Sequence, residues 1–424
     1  MINTIKNILS EENIDTYLIT ETISDSAELF LIRRTLDAKR TKSVRKYEVV
    51  VYRDFEKDGA RMRGSSLAYI FPSMEKEEIA RTLRDAYYAA SFVCNPYFEL
   101  PDKATGEGNN ESSLLSSMSL EKSAEEAARA LYSAKESEKT FINSAEIFSC
   151  CVKNRICSSN GTDVRYTKHS LSGEFVVQCT ENEDVEFYSQ FEYDDLDIGA
   201  LAEKAQDALS AVRARSNAER CLKSGKYTVI IDKEHLAKLL SYYLNRANAA
   251  NIYAKYSDYK IGEPVQGDSV SGRLLNIDVC PSAPYSDEGI PMEERALIKD
   301  GKLLMIHGNT RFCRYLGETP KGTYKKIRLD SDGVSLDDMK KEPYLYVIKF
   351  SDFSMDRLSG HFGGEIRLAY LFDGNETHII TGGSINGLIT EAQKAFEFST
   401  EKYRDSKYEG PLAVRIRDIN VAGC

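Results

Sequence analysis

Long apolar runs are missing from this sequence: nowhere do its 424 residues approach the ~18–20 consecutive apolar residues that a membrane-spanning helix needs. The first residues, MINTIKNILSEENID, carry charges where a secretory signal has its apolar core. We therefore expect a cytoplasmic protein without a membrane partner. With 42% hydrophobic and 29% charged residues, the composition excludes disordered, collagen-like and small disulfide-rich chains.

Positive charge is in deficit, because 56 Lys and Arg stand against 66 Asp and Glu and give a net charge of −10. Phosphate backbones repel such a chain, so direct nucleic-acid binding is not expected without a locally basic face. The most basic stretch runs from Arg33 to Arg53. We interpret it as a solvent-exposed helix-to-strand connection rather than as a nucleic-acid patch.

Paired cysteines are missing too, since none of the nine cysteines forms a C-x-x-C motif. Their odd number, without a secretory signal, indicates reduced thiols. We expect most of them to be small buried hydrophobic residues.

Common catalytic signatures are also lacking: there is no G-x-S-x-G, no Walker A loop and no H-E-x-x-H. The five histidines are too far apart in sequence to pair on one helix face, so a zinc site would need distant residues such as His307, Cys313 and His361. Isolated histidines are more often structural, and Gly360–Gly364 is typical of a turn or bulge. We therefore expect no metal, no cofactor and no catalytic residue.

Secondary-structure signals divide the chain near Cys221–Gly225. Before this point, β-branched and aromatic segments alternate with amphipathic helices, one of them capped by Ser73, and the polar stretch Thr105–Ser119 predicts a loop. After it, a strand leads into a helix capped by Asp232, and the rest is mostly β, with Asp300-Gly301 as a hairpin turn. The prediction is an α+β protein with two domains. Residues 1–224 form a mixed α/β-type domain, and residues 225–424 form a β-rich, largely antiparallel domain.

Five segments resemble the TldD/PmbA family in order and spacing. They are NPYFELPDKA (Asn95–Ala104), Cys157–Cys179, the D-E-G-I-P segment Asp287–Gly317, the S-G-H-F segment Ser359–Leu388 and the closing strand Pro411–Gly423. The resemblance covers most of the chain. It implies a family tied to the maturation or breakdown of peptides and labile proteins, which also carries the name modulator of DNA gyrase.

The resemblance also implies where a catalytic centre would lie. TldD-type members look like zinc proteases with H-E-x-x-x-H on the helix after a central strand and a later cysteine ligand. By spacing, the two histidines and the glutamate would fall at Ser241, Arg246 and Tyr242, none of which can play these parts. The segment expected to hold the cysteine, Ser399–Gly410, has none. This chain therefore resembles the PmbA/TldE branch, the non-catalytic partner.

The same helix carries apolar residues at helical spacing along one face, as a helix packed on a core does. This stripe consists of Leu236, Leu239, Leu240, Tyr243, Ala247 and Ala250. We expect the helix to be kept as scaffold, with Ser241, Tyr242, Asn245 and Arg246 lining a cavity or a subunit contact rather than retaining catalysis. Gly360, His361 and Phe362 are further candidates for that cavity, and Arg246 is a candidate for holding a peptide carboxylate.

Two functions of different classes follow from these observations. The first is a partner subunit of a TldD-type protease that helps to enclose a peptide or an unfolded protein, which would add as a strand to an exposed sheet edge in the C-terminal half. The alternative is a stand-alone, homodimeric peptide- or protein-binding regulator. A hydrolase with an unrecognised site is weaker, because no nucleophile–base pair is visible.

Overall fold

The computed structural model describes residues 1–108, 113–330 and 332–424. The elements of the first half are α1 (Ile2–Glu11), β1 (Thr16–Ile32), β2 (Thr35–Lys57), β3 (Ala60–Ile70), α2 (Lys76–Ala90), β4 (Thr105–Glu107), a 3₁₀ turn (Leu115–Ser117), α3 (Leu120–Leu131), β5 (Thr140–Ser158), β6 (Asp163–Cys179), β7 (Val185–Tyr193) and α4 (Ile198–Arg215). In the described residues, none of the helices combines the length and the apolar character needed to cross a bilayer.

The second half holds most of the strands. Its elements are β8 (Gly225–Asp232), α5 (Lys233–Arg246), α6 (Ala249–Tyr253), β9 (Asn276–Cys280), β10 (Arg295–Lys299), β11 (Lys302–Leu303), α7 (Thr310–Tyr315), β12 (Lys326–Asp330), α8 (Leu336–Met339), β13 (Tyr344–Met355), β14 (His361–Phe372), β15 (Thr377–Ile380), β16 (Ser384–Leu388), α9 (Ile389–Ala392), a 3₁₀ turn (Gln393–Ala395), β17 (Glu397–Phe398), β18 (Lys402–Arg404), β19 (Tyr408–Pro411) and β20 (Ala413–Ala422).

The first half is one sheet with helices on a single face. The strand order is β3-β2-β1-β5-β6-β4, β7 pairs with β6, and every pairing except β4–β6 is antiparallel. Ile19 and Leu29 lie ten residues apart on β1 and therefore point to the same face. Ile19 packs in the core cluster that contains α1 and α2, and Leu29 packs in the cluster that contains α3 and α4. The opposite face is left to meet the second half.

Two further sheets build the second half. One has the order β11-β10-β9-β12-β19-β18. The other has the order β13-β8-β20-β16-β14-β15, and since β14 also pairs with β13, five of its strands close on themselves. Among the strands of the second half that the structure describes, only the β8–β13 and β12–β19 pairings are parallel. The α+β class and the largely antiparallel second half are thus confirmed.

Hydrogen bonds and ring contacts join the two halves. The Tyr315 hydroxyl donates to the Pro96 carbonyl at 2.6 Å, and the Tyr315 ring meets Phe98 edge-on with centroids 6.1 Å apart. The Lys349 ammonium donates to the Tyr188 carbonyl at 2.8 Å. A cleft opens between the bare face of the first sheet and the second half.

Several local predictions were wrong. The basic stretch is no helix-to-strand connection: Arg33 and Arg34 form the β1–β2 turn, and the rest of the stretch lies on β2. Charged partners on β1 accept these cations, as in the Arg40–Glu28 pair at 2.6 Å. Helix α2 begins at Lys76 and not at Ser73, because Glu75 holds the N-cap position.

The predicted loop Thr105–Ser119 contains β4 and a 3₁₀ turn, while positions 109–112 lie outside the described residues. The nine cysteines are all free thiols, but only Cys157, Cys179 and Cys313 are buried, so the expectation that most would be buried was wrong. The other six sit on strand faces or at the surface.

Candidate functional site

The cleft has a volume of about 1060 Å³. One wall is formed by β7, β6 and Phe148 of β5, and the other by α5 with β13. Eight aromatic side chains line it: Phe148, Tyr188, Phe191, Tyr193, Tyr324, Phe350, Phe353 and Tyr403. A concave site with aromatic walls and interspersed polar groups is typical of ligand binding.

Helix α5 forms one side of the cleft because its two faces differ in chemistry. Leu236, Leu239, Leu240 and Tyr243 are fully buried in the core of the second half, as the stripe predicts. The opposite face, exposed to the cleft, carries these side chains at helical spacing: Glu234, Ala237, Lys238, Ser241, Leu244 and Asn245.

The start of α5 differs from the prediction in one detail. Asp232 occupies the N-cap position, but its side chain does not bond to the helix backbone. Its carboxylate accepts from the Tyr346 hydroxyl at 2.5 Å instead. The residue is buried, and burial raises its pKa to about 6. Lys233, next in the chain, has a positive φ of 48° and pairs with Asp207 on α4.

Of the predicted site residues on α5, Ser241 and Asn245 line the cleft. The Ser241 hydroxyl donates to the Lys238 carbonyl at 2.7 Å, and the Asn245 side-chain oxygen accepts from Asn251 at 3.0 Å. Both are neutral polar groups facing the solvent of the cleft. The structure therefore brings these two together and places Tyr242 and Arg246 elsewhere.

Tyr242 and Arg246 lie on another face of the helix. The Arg246 guanidinium donates to the Tyr256 carbonyl and to Asp258, and it lies 5.8 Å from the centroid of the Tyr242 ring. The Leu358 carbonyl is a longer acceptor at 3.5 Å. This guanidinium already donates to three acceptors within the chain. Arg246 therefore anchors the neighbouring segments to α5.

The S-G-H-F segment meets this anchor rather than the cleft. Gly360 has a φ of 81°, and a Cβ atom there would lie 3.6 Å from the Tyr242 ring and 3.1 Å from Ile389. Phe362 is buried beside Phe353, whereas His361 is exposed at the start of β14. None of the three residues is among those that line the cleft.

His307 and Cys313, the other metal candidates, have structural surroundings. The buried His307 ring bonds through Nε2 to the Leu244 carbonyl at 2.8 Å, and its Nδ1 accepts from the Tyr324 amide at 3.3 Å. Burial raises the pKa of the Cys313 thiol to about 11, with Glu288 adding to the shift. Within residues 1–108, 113–330 and 332–424, no three His, Cys, Asp or Glu side chains group as metal ligands would.

The cleft face of α5 does not fit the zinc that the resemblance associates with this helix. Zinc sites in proteins use neutral imidazole, thiolate and carboxylate ligands. At the positions where the resemblance puts the zinc ligands, Ser241 offers only a hydroxyl, Tyr242 and Arg246 lie on another face of the helix, and the Lys238 ammonium one turn away would repel a cation. No step of a reaction is therefore assigned to a metal here.

Sequence reasoning missed a charged group at the beginning of α5. Glu234 faces the cleft, where Lys204 of α4 and Lys349 of β13 also lie. Burial raises the pKa of Glu234, but the neighbouring positive charges, Lys204 first among them, lower it to about 2. The adjacent His235 ring packs against Phe350, and burial lowers its pKa to about 4. The two lysines are far from α5 in sequence, so no spacing rule could have found them.

The free edge of β7 runs along the cleft. This strand pairs only with β6, and its residues 188–193 all line the cleft. On the facing wall, pairing of β13 with β14 is irregular between Val347 and Phe353, and β8 pairs with β13 only as far as Val347. The Tyr188 and Glu192 carbonyls on the β7 edge already accept hydrogen bonds from the Lys349 ammonium and the Ser406 amide, so this edge is unpaired only around Gln190. Unpaired strand edges take extended peptides by strand addition.

The anchor on the far face of α5 gives a first prediction. Arg246→Glu places a carboxylate beside two carbonyls and Asp258, so we expect a loss of about 1–2 kcal/mol of stability and a displaced α5. The measurements are urea unfolding and, in a pair co-expressed with a TldD-type protease, complex formation and peptide cleavage. Arg246→Lys, which keeps the charge, is the control. If complex formation and cleavage both stay unchanged in Arg246→Glu, the face of α5 that carries Tyr242 and Arg246 is only scaffold.

Comparisons with known proteins place these features in context. Residues 224–423 match the model of the PmbA/TldA metallopeptidase C-terminal domain. A comparison with curated proteins gave no match.

Three solved structures are similar over the whole chain. The first is a candidate modulator of a DNA gyrase from Thermotoga maritima. It has a TM-score of 0.79 and 17% identity, and 100% of both chains is covered. TldE from Thermococcus kodakarensis has a TM-score of 0.75 and 16% identity, with 99% of this chain and 100% of that chain covered. A candidate modulator of DNA gyrase from Bacteroides thetaiotaomicron has a TM-score of 0.78 and 16% identity, with 100% and 99% covered. At these identities, the likeness shows a shared fold.

Proposed function

Because this chain belongs to the TldD/PmbA family, with residues 224–423 as its metallopeptidase-type C-terminal domain, we propose that it is a PmbA/TldE-like partner subunit of a TldD-type zinc protease. In this role it binds peptides or unfolded segments in the cytoplasm and has no catalytic centre of its own. One observation carries the proposal. The family's active-site helix forms a wall of a cleft of about 1060 Å³, yet its cleft face presents Lys238, Ser241 and Asn245.

The walls of the cleft favour an extended peptide over a compact ligand. The unpaired part of the β7 edge, around Gln190, supplies a backbone donor and acceptor, which bind an extended chain without strict sequence demands. The aromatic side chains of the lining that are not buried, Phe148, Tyr188, Tyr193 and Tyr403, supply apolar contacts for peptide side chains. The β7 edge belongs to the first half of the chain and faces α5 across the cleft, and β13 of the second half lies beside α5.

We also propose that the chain divides into two domains near residue 224. The largest apolar cluster contains only residues from Leu222 onward, and the second half contributes just Leu368, Ile348 and Ile379 to the two described clusters of the first sheet. Separate cores are what two domains need in order to fold independently. Limited proteolysis tests this division.

Co-purification is the decisive experiment. The tagged chain, co-expressed with a TldD-type protease, should retain that protease through gel filtration, and peptide cleavage should require both chains. The chain alone should contain well below one zinc per molecule by elemental analysis and should cleave no generic peptide. One zinc per chain, or cleavage by the isolated protein, would contradict the proposal. Recovery of a homodimer that binds peptide without any protease would instead support the stand-alone regulator.

A further inference from the structure

One end of the cleft, at the start of α5, gathers three lysines around a single glutamate. Lys204 comes from α4, Lys238 from the second turn of α5 and Lys349 from β13, and all three line the cleft together with Glu234. We refer to these four side chains as the lysine cluster. Three elements that are distant in sequence supply it, so the fold itself brings the charges together.

The lysine cluster carries an uncompensated positive charge. Glu234 is ionised at neutral pH, because neighbouring cations outweigh the effect of burial on its pKa. One carboxylate cannot neutralise three ammonium groups, and burial lowers the pKa of Lys349. His235, at the same place, is neutral at pH 7. The other carboxylates of the cleft lie outside the lysine cluster: Glu192 pairs with Lys407 at 3.2 Å, Glu174 accepts from the Tyr188 hydroxyl at 2.7 Å, and Asp352 and Asp405 complete the set.

The three ammonium groups also have N–H donors that are not used in hydrogen bonds within the chain. Lys349 donates to the Tyr188 carbonyl and Lys238 to the Phe353 carbonyl, which leaves each of them two N–H groups. Lys204 makes no hydrogen bond or ion pair with any part of the chain that the structure describes. The first turn of α5 adds the partial positive charge of a helix N-terminus.

The position of the lysine cluster in the cleft indicates which kind of anion it binds. Helix α5 and the residues after it border the cleft from Glu234 to Asn248, a length of about 20 Å, which matches about six extended residues. The cluster lies at one end of this path, where a bound peptide would end. Resting on the proposed function, we infer that the lysine cluster binds the terminal carboxylate of a peptide that lies along α5.

The test compares peptides that differ only at this group. A fluorescent hexapeptide of alanine, phenylalanine and tyrosine is made with a free terminal carboxylate, with a terminal amide, and as an amide with one internal glutamate. Binding to the full chain is followed by anisotropy at pH 7. We expect the acid to bind about tenfold more tightly than either amide, the usual scale of a charge-assisted contact.

Two lysine variants distinguish binding by the lysine cluster from general electrostatic attraction to the cleft. Lys204→Met should bring the acid-to-amide ratio close to one. Lys325→Met, which removes another exposed lysine of the same cleft, should keep the full ratio. Equal binding of acid and amide by the unmodified chain would overturn this inference and leave the proposed function standing. Equal binding of the acid and the internal-glutamate amide would also overturn it, and no binding of any peptide would contradict both.

Discussion

Leu240→Ala is expected to lower the stability of the second half by about 2–5 kcal/mol, the range measured for leucine-to-alanine changes in a packed core. Leu240 is fully buried on α5 and belongs to the largest apolar cluster of the chain. Truncation removes apolar burial and leaves a void that the surrounding strands can fill only in part. Because α5 also lines the cleft, peptide binding should weaken in the same variant.

The measurement is urea unfolding followed by tyrosine fluorescence, since the chain has 25 tyrosines and no tryptophan. Leu304→Ala is the matched control, because Leu304 lies in the same half and is 46% exposed. It should shift the unfolding midpoint by less than a tenth of the Leu240→Ala shift. A Leu240→Ala midpoint equal to that of the control would mean that α5 is not packed on the core as described.

Asp232→Asn should stabilise the protein at neutral and alkaline pH. In the folded chain, burial raises the pKa of Asp232 from 3.8 to about 6, so the fold disfavours its charged form. Below pH 3.8 both the folded and the unfolded chain hold the proton, and there is no penalty. As pH rises through 6 the penalty becomes complete, on the order of 3 kcal/mol at 1.36 kcal/mol per pKa unit. An asparagine oxygen still accepts from the Tyr346 hydroxyl.

The sign of the effect is checked by urea unfolding at two pH values. The advantage of Asp232→Asn should be about 3 kcal/mol at pH 8 and shrink to about 1 kcal/mol at pH 4.5, where the folded carboxyl is mostly protonated. Asp352→Asn, which changes an exposed carboxylate of the cleft, should have little effect at either pH. An advantage that grows as pH falls would contradict the raised pKa.

Local signals predicted the second half well. Asp300 and Gly301 have φ values of 49° and 72°, as a two-residue hairpin turn requires, and β10 and β11 pair on either side of them. The stripe gave the core face of α5 correctly up to Ala247, since helical periodicity depends only on neighbours along the chain, whereas Ala250 lies on α6 and is only half-buried. Such features need no knowledge of distant partners.

The first sheet and the cleft were harder to predict for one shared reason. The long strands β1 and β2 carry charges that pair across the strands, such as Glu21 with Arg45, so their apolar alternation is broken. In the same way, Lys204 and Lys349 meet Glu234 only after folding. The roles of these polar residues depend on contacts between elements that are distant in sequence. A local sequence pattern cannot predict such contacts.

The two faces of α5 have a consequence for how such a protein evolves. Its stability rests on the leucines of the core face, whereas Lys238, Ser241 and Asn245 face the cleft and contribute little to folding. Replacement of the cleft-facing side chains is therefore nearly neutral for the fold. Selection can exchange one chemistry for another along this helix without a rescuing mutation elsewhere, so a lineage can lose or gain ligand specificity while the scaffold persists.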